Sequence, residues 1–369
     1  MEPGLRIGTI LGIPIYLHPT WFLVLLLVFV GLWNHLALAY PSVGPAWRVA
    51  TAGVTSALLF GSFLMHLHAH SVLAARYGVT VRFILLFAFV GVAWMDREGH
   101  SPSAELQIAA AGPAVSGALG VLFAALSGLF PAGSLGMATF QWLALLNIGV
   151  ALFNLLPGFP LDGGRVLRAL LWARGRDLST ATATAARVGQ WIAYGIIALG
   201  IFEATRDLVS GVWLGFIGWF VLTASLAHRR QAAAQISLRG LVARDAMSER
   251  VPTVDAELPV TVFARDHLLG GDRWAIVLQG GVPYGLVSRS DVKRIPAEQR
   301  PQVCVRQIAT PLDQVTMAAP DLPLADVLHL LSDRHTNQIP VMEGGMILGA
   351  VTRDALVTTM DSHAPRSAF

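Results

Sequence analysis

Three histidines, His66, His68 and His70, stand in Phe63-Leu64-Met65-His66-Leu67-His68-Ala69-His70-Ser71, a stretch otherwise apolar enough to cross a membrane. A polar side chain at membrane depth is costly unless it is partnered, so such residues read as functional by default. On a helix, residues four apart lie one turn above each other on one face, so the imidazoles of His66 and His70 can reach a single metal ion. At about 100° per residue His68 turns nearly to the opposite side. It reads as a polar contact between helices or a bystander.

The spacing of the outer pair is that of the helix motif His-Glu-x-x-His, in which the Glu beside the first His is the general base of a zinc-dependent hydrolysis. Here that position is Leu67. A metal-ligand spacing is therefore present while its base is missing. The best third ligand lies in Asn154-Leu155-Leu156-Pro157-Gly158-Phe159-Pro160-Leu161-Asp162-Gly163-Gly164-Arg165. Its prolines and glycines break a helix and fix a turn that can hold a carboxylate. With Asp162 the set has three protein ligands and one open position, the arrangement of a catalytic rather than a structural zinc. Asp162 also suits the N-cap of a helix following Gly163-Gly164. Asn147 and Asn154, seven residues apart on one helical face, can orient a peptide carbonyl or bond between helices.

The elements that must position these residues follow from composition. Hydrophobic residues make up 54% of the 369-residue chain and charged residues 13%, about half the usual charged share. Cys304 is the only cysteine, which excludes intrachain disulfides and cysteine metal clusters. The net charge of +3 is small and its basic residues flank apolar runs, so no nucleic-acid face is read. Met1 to Pro14 lacks the order of a signal peptide, so the first apolar run is expected to remain as an anchor.

Six segments approach the roughly 20 residues that span the hydrocarbon layer. They run from about Thr20 to Tyr40, Ala50 to Ala75, Leu106 to Phe130, Met137 to Leu156, Val188 to Phe202 and Leu208 to Ala227. With a cytoplasmic N-terminus, most connecting arginines, among them Arg76, Arg82, Arg97, Arg165, Arg174 and Arg229, fall on the cytoplasmic side, against Arg48 and Arg206 on the other. By the positive-inside rule both ends of the membrane half face the cytoplasm. Val79 to Ala93 is apolar, β-branched and aromatic, and too short to cross and return as helix. It is expected to form a membrane-embedded β-hairpin lining the site, with an edge strand able to pair with an unwound substrate segment.

These residues resemble the site-2 protease family of intramembrane zinc metalloproteases. The resemblance spans about residues 5 to 225 and rests on His66 and His70, on Ala111-Gly112-Pro113, on Asn154 to Gly164 with its Leu-Asp-Gly-Gly turn, and on Gly12-Ile13-Pro14-Ile15 followed by His18-Pro19-Thr20-Trp21. It implies one zinc ion on His66, His70 and Asp162, and cleavage of single-span membrane proteins within the lipid. The family carries Glu where this chain carries Leu67. Loss of a positioned base removes roughly 10² to 10⁴ in rate, so metal binding with little or no proteolysis is expected.

After Arg229-Arg230 charges return and apolar runs shorten. Gly285-Leu286-Val287-Ser288-Arg289-Ser290-Asp291 is echoed by Gly349-Ala350-Val351-Thr352-Arg353-Asp354-Ala355, each after a strand-like run and before a short helix. Such tandem α/β units pack on each other. The pattern resembles a pair of cystathionine-β-synthase-type (CBS) modules. That resemblance implies adenine nucleotide, ATP or AMP, in the cleft, with Ser288 and Asp291 on phosphate and ribose, and a homodimer through the tandem. In the second copy Ala355 stands where the acid should be. Ser288 and Asp291 equally suit a turn and helix cap.

The expected architecture is a polytopic α-helical membrane protein followed by a soluble α/β tandem. The expected boundaries are a metalloprotease-like domain over 1–230, a linker over 231–242, a first CBS module over 243–300 and a second, with the tail, over 301–369. The expected location is a bacterial cell membrane, with lipid around the spans and both termini cytoplasmic. Two other readings belong to different classes: a non-catalytic adaptor that binds transmembrane helices under nucleotide control, and a CBS-gated transporter. Residues 1 to 230 lack the related halves with paired broken helices that a transporter shows.

Overall fold

The computed structural model describes residues 4–10, 12–87, 90–95, 101–268, 273–333 and 336–363. The chain divides into two compact units, 1–232 and 233–369.

In the first unit, β1 (Leu5–Ile10) and β2 (Ile13–Leu17) precede helices α1 (Thr20–Ala39) and α2 (Pro45–Arg76). Then come β3 (Val81–Phe87), β4 (Val90–Met95), α3 (Pro102–Ser127), α4 (Leu135–Asn154), α5 (Asp162–Ala173), α6 (Leu178–Ala204) and α7 (Leu208–Ser237). Six of these helices, all except α5, are long and apolar enough to cross a membrane. Their outward faces are apolar: Phe22, Leu26 and Leu152 are all more than half exposed. Contiguous exposed apolar surface is disfavoured in water, and a lipid environment removes that penalty.

The helix starts are written locally. Gly44 precedes Pro45 at the start of α2, and Ser101 precedes Pro102 at the start of α3, where its hydroxyl accepts from the Ala104 N–H at 3.2 Å. Proline suits this position because its missing N–H would go unpaired there in any case. The fifth long helix starts ten residues before the expected Val188. Thr180, Thr182, Thr184 and Arg187 lower the local hydropathy, yet Asp177 caps the helix at 3.1 Å from the Thr180 N–H. The hydroxyls of Thr182 and Thr184 return to carbonyls one turn back, at 2.7 and 2.8 Å, so polarity does not break the helix.

The strands form one four-stranded sheet in the order β1-β2-β3-β4. β3 and β4 are antiparallel, Ile84 facing Ala93 and Leu86 facing Gly91. That is the expected antiparallel pairing; Ala88 and Phe89, between the two strands in the chain, lie outside the described residues. β2 joins β3 in parallel, Ile15 opposite Ile84 and Leu17 opposite Leu86, although α1 and α2 lie between them in the chain. Ile13, Ile15, Leu17, Trp21, Leu67, Ile84 and Leu86 form one buried cluster, which seats the sheet on α2.

The second unit comprises α8 (Ala243–Ala246), β5 (Thr253–Asp255), α9 (Val260–Phe263), β6 (Trp274–Gln279), β7 (Val282–Ser288), α10 (Arg289–Lys293), α11 (Val305–Ile308), β8 (Thr310–Pro311), α12 (Leu324–Asp333), β9 (Gln338–Glu343), β10 (Met346–Thr352) and α13 (Arg353–His363). The internal repeat is visible as two matching hairpins, β6-β7 and β9-β10. Each turns on a Gly-Gly pair with positive φ, Gly280-Gly281 and Gly344-Gly345, the conformation of a two-residue turn between twisted strands. Each hairpin runs into a helix and has its own buried core. β5-β6-β7-β8 form a four-stranded sheet; at the second hairpin, bridges from Ala318 to Val341 and from Ser248 to Ala350 occupy the equivalent flanks. α7 continues to Ser237, so the beginning of the segment expected as linker is helical.

Candidate metal centre

Helix α2 places His66 and His70 one turn apart, both at most 5% exposed. The Nε2 atoms are 3.3 Å apart, and each lies 3.3 Å from Oδ2 of Asp162. Asp162 reaches them from the first residue of α5. The N-cap of that helix is Leu161, with no side-chain capping bond, so the carboxylate is turned to the histidines rather than spent on the helix end.

Gly163 and Gly164 allow this approach. A β-carbon on Gly163 would stand 2.3 Å from the Leu156 carbonyl oxygen, and one on Gly164 would stand 2.3 Å from the Phe159 nitrogen. Only glycine lets the first turn of α5 lie against the segment that delivers it.

The donor atoms fit a metal on two counts. Metal–ligand bonds of about 2.0–2.1 Å at tetrahedral angles put the ligands about 3.3 Å apart, which is the separation of all three pairs here. The space between them is also kept clear. A β-carbon on Gly112 would fall 2.2 Å from His70 Nε2 and 2.6 Å from His66 Nε2, where an ion bound to both would sit.

Helix α3 fixes which nitrogen each imidazole offers. His70 Nδ1 lies 2.7 Å from the Ile108 carbonyl oxygen, which can only accept, so Nδ1 carries the proton and Nε2 presents its lone pair. His66 Nδ1 lies 2.9 Å from Ser116 Oγ, whose oxygen can accept in the same way. Outer partners of this kind hold the ring orientation and raise ligand basicity. Neither Ile108 nor Ser116 was legible as a site residue in the sequence. The third feature of α3, Gly112, lies in the Ala-Gly-Pro triplet that was.

The remaining expected residues are placed differently. Leu67 is 5% exposed and belongs to the buried cluster with Ile15, Ile84 and Leu86. His68 is not brought to the centre, and among the described residues neither ring nitrogen has a hydrogen-bond partner. Asn147 is buried in α4 and donates to the Leu143 carbonyl at 2.8 Å; Asn154 donates to that of Val150 at 3.0 Å. Each amide thus spends one N–H on its own helix.

In the second unit, Ser288 and Asp291 are engaged with each other. Asp291 Oδ2 accepts from the Ser288 N–H at 2.8 Å and from its hydroxyl at 2.6 Å, closing the start of α10. A cleft of about 380 Å³ is lined instead by Arg250, Arg273, Trp274, Thr352, Arg353 and Asp354, among others. Arg273 and Asp354 pair across it at 2.7 Å.

Comparison with known proteins agrees with both halves. The model of Peptidase family M50 matches residues 131–196, and that of the CBS domain matches residues 305–362. The chain is 34% identical to a Mycobacterium tuberculosis protein named as a zinc metalloprotease, over 98% of this chain and 94% of the relative. It is 31% identical to a similarly named Synechocystis protein, over 99% and 97%. A solved structure of the site-2 protease from Methanocaldococcus jannaschii is 33% identical, covering 61% of this chain and 94% of that one at a TM-score of 0.44.

Proposed function

Because the chain belongs to the site-2 protease family of zinc metalloproteases and carries a CBS domain, we propose that His66, His70 and Asp162 hold one zinc ion and that Leu67 leaves the centre without its general base. The observation that carries this reading is the equal 3.3 Å spacing of the three donor atoms around the clearance at Gly112. Zinc at such a site supplies Lewis acidity toward a peptide carbonyl and toward water.

The chain's own groups do the rest. Ile108 and Ser116 hold the imidazoles with Nε2 forward, and the second N–H of Asn147 or Asn154 meets a substrate carbonyl. β4 is an edge of its sheet, and its backbone can pair with a transmembrane segment that has unwound. The substrate class is a single-span membrane protein. The membrane is that of a bacterial cell, with the sheet at membrane depth and both termini cytoplasmic.

At position 67 an isobutyl group packed among Ile15, Ile84 and Leu86 cannot take a proton. Hydrolysis is accordingly slow or absent in this chain. The same packing favours a second role, a non-catalytic adaptor that captures transmembrane helices. For the CBS tandem, the cleft that Arg250, Arg273 and Arg353 line suits the phosphates of an adenine nucleotide, since the exposed Arg273–Asp354 pair can open to them, while Ser288 and Asp291 close the start of α10.

The deciding experiment measures bound zinc in the purified protein and in Leu67→Glu, and follows cleavage of a transmembrane reporter by each. Zinc in both with cleavage only by Leu67→Glu is expected. Absence of zinc from both would overturn the metal assignment.

A further inference from the structure

Glu105 is 1% exposed and Arg168 4%. Arg165 Nε lies 2.9 Å from Glu105 Oε1 and its Nη2 lies 3.4 Å from Oε2, while Arg168 Nη2 lies 2.5 Å from Oε1. Burying one carboxylate with two guanidinium groups is an expensive way to join helices, since apolar side chains of the same size often do it as well or better. The position of the cluster gives it a different use.

Glu105 lies in the first turn of α3, the helix whose Ile108 carbonyl and Ser116 hydroxyl orient His70 and His66. Arg165 and Arg168 follow Asp162 on α5. The two imidazoles are thus keyed to α3 by their Nδ1 atoms, and Glu105 ties that same helix to the one carrying the third ligand. Arg168 also stands over the Phe159 ring, 5.3 Å from its centre, in the segment that leads into Asp162. Packing of apolar faces fixes helix separation but tolerates sliding; a forked arginine pair on one carboxylate does not.

We propose that Glu105 is a positioning residue for the metal centre: through Arg165 and Arg168 it sets the distance of the Asp162 carboxylate from the two imidazoles, and so sets metal affinity and coordination geometry. This rests on the reading that His66, His70 and Asp162 bind zinc.

The test uses the full chain in detergent, with zinc affinity measured against a chromophoric chelator, the visible spectrum of the cobalt-substituted protein as a report on geometry, and thermal unfolding in EDTA as a report on the fold alone. Glu105→Gln should weaken zinc binding about 10- to 100-fold, the usual effect of losing an outer partner, and shift the cobalt bands. It also leaves the cluster with one positive charge too many. The double variant Glu105→Gln with Arg168→Gln restores the original net charge, so it should recover stability in EDTA while zinc affinity stays low. Glu105→Asp, with the charge kept on a shorter arm, should fall between. The proposal is overturned if Glu105→Gln loses stability in EDTA with affinity and spectrum unchanged, or if the double variant regains both. Where Glu105→Gln does not fold, the double variant and Glu105→Asp decide. An unmodified chain that binds no zinc overturns the metal reading itself, and this proposal with it.

Discussion

Gly112 and His70 meet so closely that a single methyl group on the glycine would lie 2.2 Å from the imidazole Nε2. The glycine therefore belongs to the proposed metal centre by what it omits. Gly112→Ala should cut zinc content from about one ion per chain to near zero by elemental analysis. Alanine raises intrinsic helix propensity by about 1 kcal/mol over glycine, so far-UV circular dichroism should show helix content undiminished. Full zinc occupancy in this variant would mean that the ion sits elsewhere.

Asp162→Asn keeps the shape of the side chain and removes its charge. Metal that binds only the folded state stabilises it by about 2.7 kcal/mol at a free concentration one hundred times Kd. Addition of EDTA should thus lower the thermal midpoint of the unmodified protein and leave that of Asp162→Asn nearly unmoved. An equal response from both would remove Asp162 from the ligand set.

Leu67→Glu should raise the rate of reporter cleavage by about 10² to 10⁴, the usual worth of a positioned base. It also places a carboxylate next to the cluster of Ile15, Ile84 and Leu86, where an ionised group without partners costs more than the roughly 1–3 kcal/mol of a neutral polar one. Denaturant unfolding in EDTA should show that loss, and zinc should reduce it. Equal cleavage by the unmodified chain would show that some group other than residue 67 takes the proton.

At Gly163 the test is steric. A β-carbon there would press on the carbonyl oxygens of Leu156 and Leu155, at 2.3 and 2.4 Å. Gly163→Ala should displace the start of α5 and weaken zinc binding even though no ligand is changed, whereas Gly195→Ala, inside α6 with nothing within 4 Å, should leave zinc binding intact.

For the second unit, calorimetry with ATP and AMP separates two candidate sites. Arg273→Ala should abolish or weaken the binding heat. Asp291→Ala should retain it while costing about 1 kcal/mol through the lost cap. The Arg273–Asp354 pair is two-thirds exposed on both sides, so breaking it should change stability little. A heat lost in Asp291→Ala alone would return the site to Ser288 and Asp291.

Much of this protein could be read from the chain because the relevant physics is local. Whether a segment can span lipid depends on its own hydropathy and length, which is why six spans were legible. The pairing of His66 with His70 follows from the period of a helix, and the two CBS-type hairpins follow from repetition. Asp162 was a candidate because helix-breaking residues surround it.

Tertiary structure decided what depends on partners distant in the chain. A backbone carbonyl is the same at every residue, so nothing marked Ile108 as the acceptor that fixes the His70 tautomer. Glu105 carried a faint mark, a lone acid at the head of an apolar helix, but its arginines lie sixty residues on. β2 pairs with β3 across two long helices, a contact that no sequence period encodes. That Leu67 stands where the His-Glu-x-x-His motif has its Glu could be read from its neighbours alone; only the packing of that sheet on α2 put its side chain in a buried apolar cluster. The candidate ligand types were written in the sequence, and their 3.3 Å geometry was set where α5 meets α2, because distances between elements are fixed by side chains interlocking from distant parts of the chain.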